Sequence, residues 1–119
     1  MTRTLALAAA TALVLAFAAG AAPPKQPARL QVVADEFNLT LSRGTIRPGD
    51  AVVELVNFGE DDHDLALRLS GGTRTFRVGL VHPGSVGELD RSLRSGRYQL
   101  WCTLGDHRAR GMRATLIVR

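Results

Sequence analysis

Three side chains with sulfur or imidazole donors lie close together near the carboxyl end of the sequence. Cys102 is the only cysteine, four residues separate it from His107, and four more separate His107 from Met112. Copper prefers thiolate, imidazole and thioether donors, and a blue-copper site combines two histidines, one cysteine and a weak axial methionine. The segment therefore offers three of these four ligands and lacks a second histidine.

The missing histidine is expected at the start of an earlier strand. His63 opens the segment 63–69, in which it shares one face with three leucines at every second position, because side chains alternate across a strand. Cys102 and Met112 are in phase with the apolar residues of their own predicted strands in the same way. We thus expect His63 and the carboxyl-terminal segment to meet at strand ends beside the core.

The N-terminal segment predicts export. Residues 1–22 combine a basic Arg3, an apolar run and small residues in A-x-A-like cleavage sites, as is typical of a signal peptide. The alternative is an uncleaved membrane anchor, because about 18 apolar residues can just span a bilayer. The proline-rich residues 23–28 are interpreted as a linker and residues 29–119 as one small domain. We expect this domain in the periplasm or on the outer face of the cytoplasmic membrane.

A single cysteine is unusual in a small exported domain. Such domains often depend on disulfides, and one cysteine cannot form an internal disulfide. Metal ligation would protect the thiol and would add binding energy to the stability of the fold. Taken separately, however, Cys102 and Met112 are typical of core packing, His107 of a surface residue and His63 of a hydrogen-bonded core histidine. The combined spacing, strand phase and export signal favour the metal site.

Alternation with a period of two predicts an all-β fold. Apolar and polar residues alternate through 30–42, and a Pro-Gly turn at 47–50 leads into a β-branched segment at 51–58. Seven to eight short strands separated by turns indicate a Greek-key β-sandwich with little or no helix. The pattern leaves 73–81 open between a strand and an irregular crossing. It favours a strand over 86–93, because Gly87 argues against the short helix that 83–94 could otherwise form.

Composition and motifs argue against two other classes of function. The net charge is +4, and fourteen of the fifteen basic residues are scattered arginines with no basic run interleaved with aromatics. Nucleic-acid binding is therefore not predicted. The sequence has no hydrolytic Ser-His-Asp grouping and no phosphate-binding glycine loop, and a binuclear copper centre would need two cysteines. An enzyme is not predicted.

These motifs resemble the cupredoxins, the small blue copper proteins such as plastocyanin, azurin and rusticyanin. The resemblance covers residues 30–118, and the two four-residue gaps between the carboxyl-terminal donors are most similar to rusticyanin-type members. It rests on the following segments: His63-Asp64-Leu65, Pro83-Gly84, Gly96-Arg97-Tyr98, and Cys102 with His107, Gly111 and Met112. The Gly96-Arg97-Tyr98 segment matches the tyrosine corner of the family.

The resemblance implies one copper ion that alternates between Cu(I) and Cu(II). The implied ligands are His63, Cys102, His107 and Met112. Asp64 occupies a position where many members have an asparagine that ties the ligand loops together, and an aspartate there could accept hydrogen bonds from loop amides. We expect this residue to support the ligands from outside the coordination shell.

The resemblance also implies an electron carrier that exchanges single electrons with a redox donor and a redox acceptor. His107 is then the expected electron port, and Trp101, next to the cysteine, is a candidate for a second electron route. Arg108 and Arg110 flank His107 and could steer an acidic partner, although they could equally be solvated surface residues. We expect a monomer that touches the membrane only through an uncleaved N-terminus. Two other functions stay open: copper storage or delivery, and a metal-free interaction module.

Overall fold

The computed structural model describes residues 15–119, which form nine strands. They are β1 (Ala28–Asp35), β2 (Asn38–Leu41), β3 (Thr45–Ile46), β4 (Gly49–Asn57), β5 (His63–Leu69), β6 (Thr75–Val81), β7 (Val86–Leu93), β8 (Gly96–Trp101) and β9 (Arg113–Val118). Most of the predicted signal peptide, residues 1–14, lies outside the described residues. Across residues 15–119 no helix has the length and apolar character needed to cross a membrane.

The strands form two sheets that pack face to face. The first sheet has the order β2-β1-β4-β7, and the second has the order β3-β9-β8-β5-β6. The pairs β1–β4 and β3–β9 are parallel, and the other neighbouring strands are antiparallel. The predicted all-β sandwich is confirmed, with nine strands rather than seven or eight because the short β3 forms a separate edge strand.

The core lies between the sheets and follows from the alternation in the sequence. In β1, Leu30, Val32 and Ala34 are buried whereas the residues between them are exposed or half-buried. They belong to one apolar cluster with Leu65 and Leu67 of β5, in the opposite sheet. Each fully buried leucine or valine contributes about 1.5–3 kcal/mol relative to an exposed position.

The segment 73–81, which the sequence pattern left open, contains strand β6, and the strand predicted over 86–93 is β7. β6 pairs antiparallel with β5, and β7 pairs antiparallel with β4 along its whole length. Gly87 lies where β7 passes close to β6 of the other sheet, since a Cβ there would be 2.7 Å from methyl groups of both Val78 and Val81. This close approach explains why a glycine lies within a strand.

A tyrosine corner ties β8 to the connection that precedes it. The Tyr98 hydroxyl donates to the carbonyl oxygen of Arg94 at 3.1 Å, and the Tyr98 ring is buried. Gly96 adopts a φ of 145°, which few residues other than glycine tolerate, and a Cβ there would be 2.4 Å from Leu69.

Strand order brings the predicted donors to one end of the second sheet. β8 lies between β5 and β9 and is antiparallel to both. The start of β5, the end of β8 and the start of β9 therefore lie at the same end of the sheet. His63 is the first residue of β5, Cys102 follows β8 and Met112 precedes β9. The loop 102–112 is closed by its own backbone bonds, including Met112 N–H to the carbonyl oxygen of His107 at 3.0 Å.

Candidate metal centre

Three donor atoms converge at this end of the sandwich. The Cys102 Sγ lies 3.5 Å from His107 Nδ1 and 4.0 Å from His63 Nδ1, and one ligand atom from each residue lies within 4.8 Å of the others. Metal bonds of about 2.0–2.3 Å, as imidazole and thiolate form with zinc, would place three coplanar donors about 3.5–4 Å apart. The three side chains therefore have the spacing needed to bind one ion.

Met112 is held beside these donors. Its side chain is fully buried in the same apolar cluster as Cys102. Its carbonyl oxygen accepts the Cys102 amide at 3.1 Å, and its own amide bonds to His107. The Met112 backbone is thus bonded to the backbones of the two other residues of the loop that carry donors, and its thioether is the candidate for a fourth, weaker ligand.

The Cys102 sulfur is enclosed by protein. Burial raises the pKa of the Cys102 thiol, and the nearby Asp64 carboxylate acts in the same direction, while hydrogen bonds from the backbone amides of Asp64 and Leu104 lower it. A bound cation would stabilise the thiolate, which is the form that ligates metals. The two amides would then be hydrogen-bond donors to a metal-bound sulfur.

Asp64 connects the two segments that carry the ligands. Its Oδ1 accepts the backbone amide of Thr103 at 2.6 Å, and its Oδ2 accepts the Thr103 hydroxyl. The residue after His63 is therefore bonded to the residue after Cys102. This is the amide contact that the sequence suggested for an aspartate at this position.

The β1–β2 turn contributes a contact to each histidine, and sequence reasoning missed both. Glu36 Oε1 lies 3.2 Å from His63 Nε2, and the Phe37 ring centroid lies 5.0 Å from that of His107. Gly111 adopts a φ of 125°, and a Cβ there would be 2.9 Å from the Phe37 carbonyl oxygen. An acidic residue at the end of a strand gives no signal of a partner 27 residues away.

The Glu36 carboxylate is also bonded to the loop that precedes β5. Its Oε1 accepts the amides of Asp61 at 2.7 Å and Glu60 at 2.9 Å. The Asp61 amide, with help from Glu60 and His63 and against the effect of burial, lowers the pKa of the Glu36 carboxyl. Because the ordinary pKa of a glutamate is already about 4.3, this group is negatively charged at neutral pH.

The two histidines differ in their access to solvent. The His63 side chain is fully buried, whereas the His107 side chain is 14% exposed. His107 Nε2 lies 3.8 Å from an Asp61 carboxylate oxygen near the surface. Only one of the two imidazoles therefore leads from the donor cluster to the surface.

The two arginines that flank His107 stack on aromatic rings. The Arg108 guanidinium lies 4.5 Å from the ring centroid of Trp101, which also has Arg68 at 5.8 Å. The Arg110 guanidinium lies 3.7 Å from the Phe37 ring centroid. Cation–π contacts at exposed sites contribute about 0.5–1 kcal/mol each, so they orient both charges. Trp101 is half-buried in β8, next to the fully buried Cys102.

No protein-family model and no curated protein sequence matches the chain. Among solved structures, reduced auracyanin from the photosynthetic bacterium Roseiflexus castenholzii superposes with a TM-score of 0.66 at 17% identity, over 80% of this chain and 99% of that one. Auracyanin B superposes with a TM-score of 0.63 at 19% identity, over 82% and 93% of the two chains. The chain has the cupredoxin fold.

Two further structures share the cupredoxin fold with this chain. Auracyanin A from Chloroflexus aurantiacus, described as a blue copper protein, superposes with a TM-score of 0.64 at 13% identity, over 79% of this chain and all of that one. A multicopper oxidase superposes with a TM-score of 0.62 at 11% identity, but the match spans only 45% of it. At these identities the likeness establishes the fold alone.

Proposed function

We propose that this chain is a mononuclear type 1 copper protein that carries single electrons outside the cytoplasmic membrane. The observation that carries the proposal is the convergence of His63, Cys102 and His107 donor atoms within 4.8 Å. They converge beside a buried methionine, at one end of a cupredoxin fold. The solved structures that share this fold include a protein described as a blue copper protein.

The donor chemistry fits copper better than the other common metals. Two imidazoles, a thiolate and a thioether form the ligand set of blue-copper sites. Zinc sites use thiolate, imidazole and carboxylate ligands rather than a thioether, and magnesium and calcium prefer oxygen donors. We assign His63, Cys102 and His107 as the strong ligands and Met112 as the weak axial ligand. When bound, copper supplies one-electron chemistry by alternating between Cu(II) and Cu(I).

The surrounding hydrogen bonds favour electron transfer because they restrict movement of the ligands. Asp64 links the two ligand segments through Thr103. The buried Asn57 side chain donates to the carbonyl oxygens of Asp61 and Val81 and accepts the Gly59 amide, so the loop before His63 is also fixed. Ligands held in one arrangement need little reorganisation when an electron arrives or leaves.

The exposed edge of His107 is the proposed point of electron exchange. Its partial exposure contrasts with the complete burial of His63. Arg108 and Arg110 are exposed beside it and held by aromatic rings, which supports docking of a donor or acceptor with an acidic surface. Trp101, stacked with Arg108, is proposed as a second electron route.

Export is proposed from the N-terminal sequence. Residues 1–22 have the composition of a signal peptide, and the described residues 15–27 are exposed and form neither helix nor strand. Mass spectrometry of the protein recovered from the periplasm should find a new N-terminus between Ala19 and Pro23. Recovery of chains that still begin at Met1 in the membrane fraction would favour the anchor instead.

Voltammetry of the purified domain tests the electron-carrier role directly. The domain comprising residues 23–119 should bind one copper ion per chain and show a reversible one-electron wave. Copper that binds but cannot be reduced and reoxidised without loss would indicate storage or delivery. A domain that binds no copper at all would indicate a metal-free interaction module.

A further inference from the structure

Glu36 makes the one side-chain contact to the buried imidazole of His63 that involves a full negative charge. Its Oε1 lies 3.2 Å from His63 Nε2, on the side of the ring opposite Nδ1. His63 Nδ1 faces the Cys102 sulfur. Resting on the proposed function, we propose that Glu36 is a positioning residue that fixes the His63 tautomer and lowers the reduction potential of the copper.

The position of the carboxylate is built into the fold. The same oxygen, Oε1, accepts the amides of Glu60 and Asp61 as well as facing His63. Gly59 leaves the space that the carboxylate occupies, because a Cβ there would be 2.3 Å from Oε1 and 2.5 Å from Oε2. The carboxylate is therefore held by the loop before β5 and does not depend on His63 for its placement.

The tautomer follows from this geometry. A carboxylate only accepts hydrogen bonds, so the His63 imidazole must carry its proton on Nε2 and donate it to Glu36. The lone pair of Nδ1 is then directed at the position between Cys102 and His107, where a metal would bind. The other polar contact of this ring in the described chain is that of Nδ1 with the Cys102 sulfur, which at 4.0 Å is longer than the 3.5 Å contact of the same sulfur with His107 Nδ1. Glu36 is therefore the stronger hydrogen-bond partner that selects this tautomer.

The charge of Glu36 has a separate effect on the metal. A carboxylate that accepts the distal N–H of a ligating histidine makes the imidazole a stronger donor. A stronger donor and a nearby negative charge both favour Cu(II) over Cu(I), and the reduction potential falls. The Glu36 side chain is 27% exposed, but it contacts the fully buried imidazole directly, so salt screens this contact less than it screens charges farther from the site.

Two substitutions separate the hydrogen bond from the charge. In Glu36→Gln the amide oxygen can replace Oε1 and retain all three contacts while the negative charge is lost. In Glu36→Ala both the contacts and the charge are lost. Glu60→Gln is the matched control, because it removes the same charge from an exposed side chain of the same loop. Its backbone amide, which bonds to Glu36, is unchanged by the substitution.

The first measurement is the reduction potential of the copper-loaded wild type and variants. Mutation of a residue that hydrogen-bonds to a metal-ligating histidine typically changes metal affinity by about 10–100-fold, and we expect loss of the charge alone to lie at the lower end of this range. We expect Glu36→Gln to weaken Cu(II) binding relative to Cu(I) by about tenfold, which for a one-electron couple raises the potential by about 59 mV. Glu60→Gln should produce a smaller rise that disappears when salt is added.

The tautomer is the second measurement, and it needs no metal. Nitrogen NMR of the metal-free domain, at a pH above the ordinary imidazole pKa of about 6.5, reports which ring nitrogen carries the proton. His63 should be protonated on Nε2 in the wild type and in Glu36→Gln, and should become a mixture in Glu36→Ala. His107, which shares no hydrogen bond or ion pair with Glu36 in the described residues, should be unchanged and serves as an internal control.

The outcomes distinguish this proposal from the proposed function. A blue wild type in which Glu36→Gln and Glu60→Gln have equal potentials overturns the tuning role and leaves the copper assignment intact. A His63 tautomer that is the same in Glu36→Ala as in the wild type overturns the positioning role. A wild type that binds no copper overturns the proposed function and the tuning role together.

Discussion

Substitution of the buried Asn57 should destabilise the loop that precedes His63. The Asn57 side chain is fully buried, and its amide donates to the carbonyl oxygens of Val81 at 2.9 Å and Asp61 at 2.7 Å. Its Oδ1 accepts the Gly59 amide at 2.8 Å. Asn57→Ala would remove all three bonds without supplying other partners.

The expected loss of stability in Asn57→Ala depends on how deeply each of the three hydrogen bonds is buried. The Val81 bond is buried, and a buried group left unsatisfied costs about 1–3 kcal/mol. The other two bonds are half-buried and can be replaced in part by water, so each costs about 0.5–1.5 kcal/mol. We expect the free energy of unfolding of the metal-free domain to fall by about 3 kcal/mol.

Urea unfolding of the metal-free domain measures this loss. Asn57→Ala should lower the midpoint and leave the slope unchanged, because the same surface is exposed on unfolding. Asn38→Ala is the control: Asn38 is exposed and bonds only weakly to Asp35 at 3.3 Å, so its loss should cost less than about 0.5 kcal/mol. A loss below about 1 kcal/mol at Asn57 would refute the view that this side chain fixes the loop.

Two further predictions concern the ligands and the docking surface. Met112→Leu should keep the colour of the copper site and raise its reduction potential, because loss of a weak axial donor disfavours Cu(II). An unchanged or lower reduction potential in voltammetry would contradict this axial role. Arg108→Glu should slow electron exchange with an acidic partner, most strongly at low salt, whereas Arg91→Glu, in β7 of the other sheet, should have little effect. Stopped-flow rates that are equal in the two variants would make the arginines beside His107 ordinary surface residues.

The parts of the site that the sequence predicted depend on local patterns. Strand parity predicted that His63 and Cys102 would face inward, and both side chains are fully buried. The predicted strand boundaries also placed His63, Cys102 and Met112 at or near strand ends, because the turns between these short strands are marked in the sequence. The β-sandwich followed from the same alternation.

The parts that the sequence did not predict depend on contacts between distant segments. Glu36 and Asn57 have no motif of their own, and the bonds from Glu36 to His63 and from Asn57 to Val81 join residues that are far apart in sequence. Gly87 argued against a helix, but the reason for a glycine at this position is the close approach of strand β6 of the other sheet, which the sequence does not show. The stacking of Arg108 on Trp101 likewise requires the fold of the loop 102–112.

The visible spectrum of the domain titrated with Cu(II) tests the central claim most directly. A thiolate bound to Cu(II) gives an intense charge-transfer band that nitrogen and oxygen donors alone do not produce. The wild type should turn blue or green and saturate at one ion per chain, and Cys102→Ser should stay nearly colourless because a hydroxyl is a harder and poorer donor. A colourless wild type loaded with Cu(II), or a Cys102→Ser spectrum equal to that of the wild type, would contradict the assignment of a type 1 copper site.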